Sequence, residues 1–270
     1  MPMQPPTSIV EVRQQIARIK AGGTEFITNF FLDDAAIEQA IRAGTLLFAF
    51  NDDAVVMVRR GALFDRVYFA DGNRASLSRT LASVPLAPDG CLISDLIGTA
   101  AETAPVIDQF VSAGFSRFTE FRSMYRANSC NVDVERRAMA EAALEEDAEQ
   151  IWSYISGYFD PYSEHIPDQQ EVLTAVKART VLVTRNGGSV SAILWYDRKG
   201  ASSILRYWLV LPQFRGRGLG KQLMARYFND CADVRSFRLW VQSSNCRAMR
   251  LYQHYGYVLA SRTDYILKRT

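Results

Sequence analysis

The same order of helices and strands is written twice in this chain of 270 residues. "SIVEVRQQIARIKAGG" (8–23) opens on a Ser cap, carries apolar residues at helical spacing and ends on a Gly pair. "DDAAIEQAIRAG" (33–44) predicts a second helix with acids in its first turn. "TLLFAFNDDAVVMVRR" (45–60) reads as two strands turning at Asn51-Asp52, and "FDRVYFA" (64–70) as a third. A helix at 75–84, a strand at 91–98, a helix at 103–114 and a strand pair at 115–126 follow. The series then restarts, with helices at 142–159 and 168–179 and an Asn-Gly hairpin at 180–197. It continues with a strand at 202–211, a helix at 218–232, a strand at 236–242, a helix at 245–256 and a closing pair at 257–269. A shift of 135 lays Thr45-Leu46-Leu47 on Thr180-Val181-Leu182, and a shift of 142 lays Gly114-Phe115 on Gly256-Tyr257 and Arg126 on Lys268. Two copies are too few for a solenoid, so the chain is expected to hold a duplicated α/β domain, residues 1–130 and 134–270.

A hydrophobic content of 48% lets each half bury a core, and a net charge of +2 gives no reason to expect a nucleic-acid partner. The charge is uneven. Residues 1–133 hold 12 Lys and Arg against 15 Asp and Glu, whereas residues 134–270 hold 19 against 14, so the positive excess lies in the second half. Cys91, Cys130, Cys231 and Cys246 show no paired spacing and only His165 and His254 accompany them, so neither a metal site nor a disulfide framework is expected. "MPMQPPTSIV" has no cationic and apolar leader pattern, and no run reaches roughly 18 apolar residues. A cytoplasmic protein without membrane spans is the expectation.

The positive excess travels with "LPQFRGRGLGKQLM" (211–224), where three glycines and three cations follow an apolar strand and open a helix. A Walker loop would need Gly where Arg215 stands and Ser or Thr where Gln222 stands. A dinucleotide fingerprint needs GxGxxG, but Gly216, Gly218 and Gly220 run GxGxG. What remains is a loop whose amides, unscreened by Cβ atoms, can converge on an anion at a helix N-terminus. Arg215, Arg217 and Lys221 surround it with full charges, and a pyrophosphate is the anion that suits it.

Arg215-Gly216-Arg217-Gly218-Leu219-Gly220 resembles the R/Q-x-x-G-x-G/A signature of the GNAT superfamily of acyl-CoA-dependent N-acyltransferases. Asn245-Cys246-Arg247-Ala248-Met249-Arg250-Leu251-Tyr252, followed by Gly256-Tyr257, is similar to a second segment of that family, with one strand between the two motifs. The resemblance covers residues 134–270 and implies two tandem GNAT-like domains built on a mixed α/β sheet. It implies that the amides from Arg215 to Gly220 cradle the pyrophosphate of acetyl-CoA, and that Trp208, Leu209 and Val210 pair through their backbones with the pantetheine arm. Asn245 would contact that arm or cap its helix, and Tyr252 would act as general acid toward the leaving thiolate.

The general base is open. The strands "SFRLWVQ" and "SSILRYWLVL" carry no carboxylate, which leaves Glu164, His165, Asp197 or a water chain. The segment 154–170 is expected to wall the acceptor pocket through Tyr158, Phe159, Tyr162 and Glu164, aromatic faces and a carboxylate that suit a cationic amine. In the first copy, Asn73, Ser76 and Ser78 stand opposite Arg215, Gly218 and Gly220, and Phe110 stands opposite Tyr252. That copy is expected to lack a cofactor site. The resulting expectation is an acetyl-CoA-dependent N-acetyltransferase, monomer or homodimer. It would transfer directly to a primary amine of a small molecule in a ternary complex. A noncatalytic acyl-CoA-binding sensor or scaffold is the alternative.

Overall fold

The structure, a computed structural model, describes residues 3–86, 90–128 and 140–270; Cys130 lies outside them. The chain divides into two compact units, Met1–Phe121 with Ser261–Thr270, and Arg122–Ala260. These boundaries differ from the sequence halves at 130 and 134, because each unit takes a strand segment from the other half of the sequence.

The first unit runs α1 (Ile9–Gly22), β1 (Ile27–Thr28), α2 (Asp34–Arg42), β2 (Leu46–Phe50), β3 (Ala54–Arg59), β4 (Asp65–Asp71), α3 (Arg74–Ala82), β5 (Leu92–Gly98), α4 (Ala100–Ser112) and the start of β6 (Ser116–Ala127). Its strands follow the order β2-β3-β4-β5, and residues Thr263–Arg269 extend the sheet beside β5 as an antiparallel neighbour. Alternate residues of β3 face opposite ways, as a period of two requires. Val56 and Val58 pack with α3 and α4, whereas Val55 and Met57 pack with α1 and α2. Burial on both faces explains why these strands read as unbroken apolar runs.

The second unit takes Arg122–Ala127 of β6 and continues with β7 (Glu141–Ala142), α5 (Ala148–Tyr158), α6 (Gln169–Lys177), β8 (Val181–Asn186), β9 (Ser189–Lys199), β10 (Ser202–Val210), α7 (Leu219–Asp230), β11 (Ser236–Gln242), α8 (Cys246–His254) and the start of β12 (Val258–Arg269). Its order is β6-β11-β10-β9-β8-β7. Ile193 and Trp195 of β9 pack with α5 and α6, whereas Ala192, Leu194 and Tyr196 pack with α7. The Gly187-Gly188 pair turns the β8–β9 hairpin, with φ of 59° and 87°.

Three sequence readings change. The segments 115–126 and 257–269 each form one strand of 12 residues rather than a pair, since neither contains a turn former that would break it. The helix expected from 142 starts at Ala148; Asp147 accepts from the Leu144 amide at 2.7 Å and pairs with Arg185, which holds the preceding residues as a strand and a short 3-10 turn. Ser76 and Ser78, set opposite Gly218 and Gly220 by sequence, lie inside α3, because two residues join β4 to α3 where eight join β10 to α7.

The duplication is visible in detail. Asp33 and Asp168 cap α2 and α6 by accepting from Ala36 and Glu171 amides at 2.9 and 2.7 Å. Gly44 and Arg179, 135 apart, both occupy the left-handed region with φ of 65° and 58°. Each unit also splays its central parallel strands. β4 pairs with β5 only at Asp65 and Arg66, and β10 pairs with β11 only from Ser202 to Leu205.

In the first unit Asn29, fully buried, closes this splay. Its Nδ2 donates to Ser94 Oγ and the Asp95 carbonyl at 2.9 Å, and its Oδ1 accepts from the Phe69 amide at 2.7 Å. Asn29→Ala would orphan the buried Phe69 amide and the Asp95 carbonyl. We expect it to cost about 2 kcal/mol, read as a lower unfolding midpoint in calorimetry, with Asn29→Asp no better because it lacks the Nδ2 donor.

Candidate active site

The glycine-rich loop of the second unit leaves β10, passes through a short 3-10 turn at Pro212–Phe214 and enters α7. Gly216 and Gly218 have φ of 77° and 75°, a region closed to most side chains. A Cβ at either would meet nothing within 4 Å among the described residues, so the glycines serve backbone direction and leave open space beside the amides. Gly220 has a different reason. A Cβ there would lie 3.1 Å from Cζ2 of Trp208, so this glycine lets α7 settle on the indole.

Arg215, Arg217 and Lys221 are exposed around this loop and Leu219 is half-buried. Arg215 Nε donates to the Val210 carbonyl at 3.1 Å, tying the loop to the end of β10. The Arg217 guanidinium lies 5.5 Å from the Phe214 ring centre. Three cations, a left-handed pair of glycines and a helix N-terminus therefore converge on one exposed place. That place suits a phosphate-bearing anion.

The splay provides the second component. Antiparallel pairing of β10 with β9 continues through Tyr207, Trp208, Leu209 and Val210, with a bulge between Leu205 and Tyr207. Among the described residues no strand pairs with Tyr207–Val210 on the β11 side. Backbone groups at such an edge can receive an extended ligand as an added strand. The sequence placed Trp208, Leu209 and Val210 in this role, and the edge is where they stand.

Tyr252 of α8 stands beside the splay, its ring centre 5.6 Å from Trp208 and 5.9 Å from Tyr257. Burial pushes its phenol well above the ordinary range, and the Glu164 charge adds to the rise. The phenol therefore stays protonated at neutral pH, as an acid requires. Asn245 takes the capping option: its Oδ1 accepts from the Ala248 amide at 3.0 Å. Cys246, the next residue, is exposed and free.

The loop 159–167 brings Glu164 to the same place. Tyr207 holds this loop, donating its phenol to the His165 carbonyl and meeting Phe159 edge-on with ring centres 5.2 Å apart. The Glu164 amide donates to the Asp160 carbonyl at 2.9 Å, which winds 160–164 into a turn. Burial, with a smaller contribution from the Asp160 charge, raises the Glu164 carboxyl to about 7. Its charge also reaches Tyr207, whose phenol burial has already raised to about 12.

The other two candidate bases are engaged elsewhere. His165 is exposed and its Nε2 lies 2.8 Å from Glu171 Oε2. Arg206 Nη1 donates to Glu171 at 3.0 Å and to Asp197 at 3.4 Å, so His165, Glu171, Arg206 and Asp197 form one chain of polar contacts. The expected pocket wall is mixed: Tyr158 is exposed, Tyr162 half-buried, and Phe159 spent on packing against Tyr207. Tyr207, Arg206 and Glu171 were not singled out by sequence. Arg206 sits at the β10 bulge, and a bulge has no composition signal in "SSILRYWLVL".

Among the described residues no cluster of His, Cys, Asp or Glu could hold a metal ion, and no helix is long and apolar enough to cross a membrane.

Residues 142–257 match the family model of the acetyltransferase (GNAT) family. Several solved structures share the fold along nearly the whole chain. A GCN5-related N-acetyltransferase from Sphaerobacter thermophilus superposes with a TM-score of 0.62 at 13% identity, covering 99% of this chain and 95% of its own. A GNAT-family acetyltransferase from Colwellia psychrerythraea gives 0.57 at 13% identity, with coverage of 99% and 98%. A tandem GNAT protein from the clavulanic acid biosynthesis pathway gives 0.52 at 12% identity, with coverage of 90% and 97%. No curated protein matches by sequence.

The left-handed backbone at Gly218 generates a stability prediction. Gly218→Ala has space for its methyl group but must hold φ near 75°, so it should lose about 1–2 kcal/mol in denaturant titration.

Proposed function

Because residues 142–257 are a domain of the GNAT acetyltransferase family, we propose that this chain is an acetyl-CoA-dependent N-acetyltransferase acting on a primary amine of a small molecule. The observation that carries the reading is the convergence on the second unit's splay of an anion cradle, a protonated phenol and a carboxyl that titrates at about 7. The residues fit the cosubstrate: the cradle is open where a Cβ would lie, and the β10 edge is unpaired beyond Leu205 among the described residues. Bound there, acetyl-CoA would supply an activated acyl thioester.

Each protein group has a distinct task. The amides from Arg215 to Gly220, with the Arg215, Arg217 and Lys221 charges, would hold the pyrophosphate, and the Trp208–Val210 backbone would align the extended arm. A free β10 amide would stabilise negative charge developing on the carbonyl oxygen. Glu164, ionised above about 7, would accept the proton that the ammonium must lose before its nitrogen can attack. Tyr252 would donate its proton to the departing sulfur and be reprotonated by the second proton that the nitrogen sheds as the amide forms. The Glu164 carboxylate also attracts the cationic acceptor before the transfer. His165 and Asp197 would act through the Glu171–Arg206 chain, holding the loop rather than moving the proton.

The sign of the pH dependence follows from the raised carboxyl. Only the ionised form accepts a proton, so the rate should climb with pH through about 7 and level above it. Glu164→Gln should lower kcat roughly a hundredfold and erase that limb, with acetyl-CoA affinity retained. Tyr252→Phe should reduce kcat by a similar factor without moving the limb. CoA release measured across an amine panel checks both. Stoichiometric acetyl-CoA binding without turnover on a broad panel would instead favour a sensor or scaffold.

A further inference from the structure

The two splays differ in what fills them. Strand pairing puts the two units in register: β4 pairs outward from Arg59 opposite Arg66, and β10 from Trp195 opposite Tyr207. Val67 and Phe69 therefore correspond to Trp208 and Val210. In the first unit those positions are occupied. β1 pairs antiparallel with the end of β4, Ile27 opposite Asp71 and Thr28 opposite Ala70. Asn29 continues the pairing: its amide donates to the Phe69 carbonyl at 3.3 Å, its Oδ1 accepts from the Phe69 amide at 2.7 Å, and its Nδ2 lies 3.3 Å from the Val67 carbonyl. Thr28 Oγ1 adds a bond to the Phe69 carbonyl at 2.7 Å.

A close backbone approach secures this segment. A Cβ on Gly23 would fall 2.5 Å from the Gly72 Cα, so the exit of α1 can meet the end of β4 only through a glycine pair. The Glu25 amide then donates to the Gly72 carbonyl at 3.2 Å.

The anion position is filled as well. The Asp71 carboxylate is fully buried at the N-terminal end of α3, accepting from the Asn73 amide at 2.6 Å and from the Ser76 hydroxyl at 3.2 Å. The two residues between β4 and α3 leave no loop to fan amides outward, and Asp71 supplies the negative charge that this helix end favours. Two separate observations, one on the strand edge and one on the helix end, thus point the same way.

We propose that the first unit is an internally liganded copy of the fold. Ile27–Asn29 takes the place of the extended arm and the Asp71 carboxylate the place of the phosphate, so that copy accepts no acyl-CoA and each chain binds one. The proposal rests on the acyl-CoA reading of the second unit only for what the occupied positions would otherwise hold.

The test combines calorimetric titration of acetyl-CoA with residue-resolved amide hydrogen exchange on the full chain. Wild type should bind one equivalent, and Gly218→Glu, which sets a carboxylate in the cradle, should bind none. In both proteins the Phe69 and Asn73 amides should exchange slowly without ligand and remain unchanged at saturating acetyl-CoA. Two equivalents on wild type would overturn the proposal. So would one equivalent surviving in Gly218→Glu, or an acetyl-CoA-dependent change at Phe69 or Asn73. Fast exchange at both amides in the ligand-free protein would likewise sink it. Absence of binding to wild type would refute the acyl-CoA reading of the second unit, while slow exchange at Phe69 and Asn73 would still support internal closure of the first.

Discussion

Two parallel strands that start paired and then diverge create a debt of hydrogen bonds, and both units are organised around it. Beyond Arg66 on β4 and Leu205 on β10, backbone amides and carbonyls point into a gap between strands. Buried backbone polar groups must find partners. The first unit finds them in its own chain, through β1 and Asn29. In the second, no strand among the described residues pairs with Tyr207–Val210 on that side. The same divergence is therefore filled from within in the first unit and left as an unpaired edge in the second, among the described residues.

The electrostatics of the second unit follow from the same gap. The Glu164 charge reaches the Tyr252 phenol of α8, and Tyr207 anchors the 159–167 loop that carries Glu164. Loss of water raises both groups. A phenol held protonated can give; a carboxyl that titrates at about 7 can take at neutral pH. The Arg206 guanidinium is paired with Glu171 and Asp197.

Much of this was legible in sequence where local rules govern. The Ser8 and Asn245 caps and the Gly216–Gly220 loop announce themselves, because each depends on backbone geometry that few residue types satisfy, and the hairpin read at Asn-Gly turns one residue later, at Gly187-Gly188. The duplication was legible because the order of elements repeats and short matches such as Thr45-Leu46-Leu47 with Thr180-Val181-Leu182 recur at fixed offsets. What was hidden depends on contacts between distant segments. Asn29 looks like any loop asparagine until Phe69 and Asp95 are placed around it. The strand β1 is two residues long, too short to show alternation. Alignment by shift also set Ser76 opposite Gly218, because compensating insertions elsewhere concealed the shorter loop before α3. Glu164, His165, Asp197 and a water chain were the candidate bases in sequence; only the fold shows burial raising the Glu164 carboxyl and the other two side chains paired with Glu171 and Arg206.

The strand segment Thr263–Arg269 seated beside β5 has a consequence in time. β5 is synthesised long before its neighbour, so during translation the first unit carries an open sheet edge, Leu92–Gly98, rich in apolar residues. An unpaired edge of that kind is a template for unwanted pairing. The first unit cannot complete its sheet until residues 263–269 have been made. Completion of the first unit is thereby a report that the second has been made.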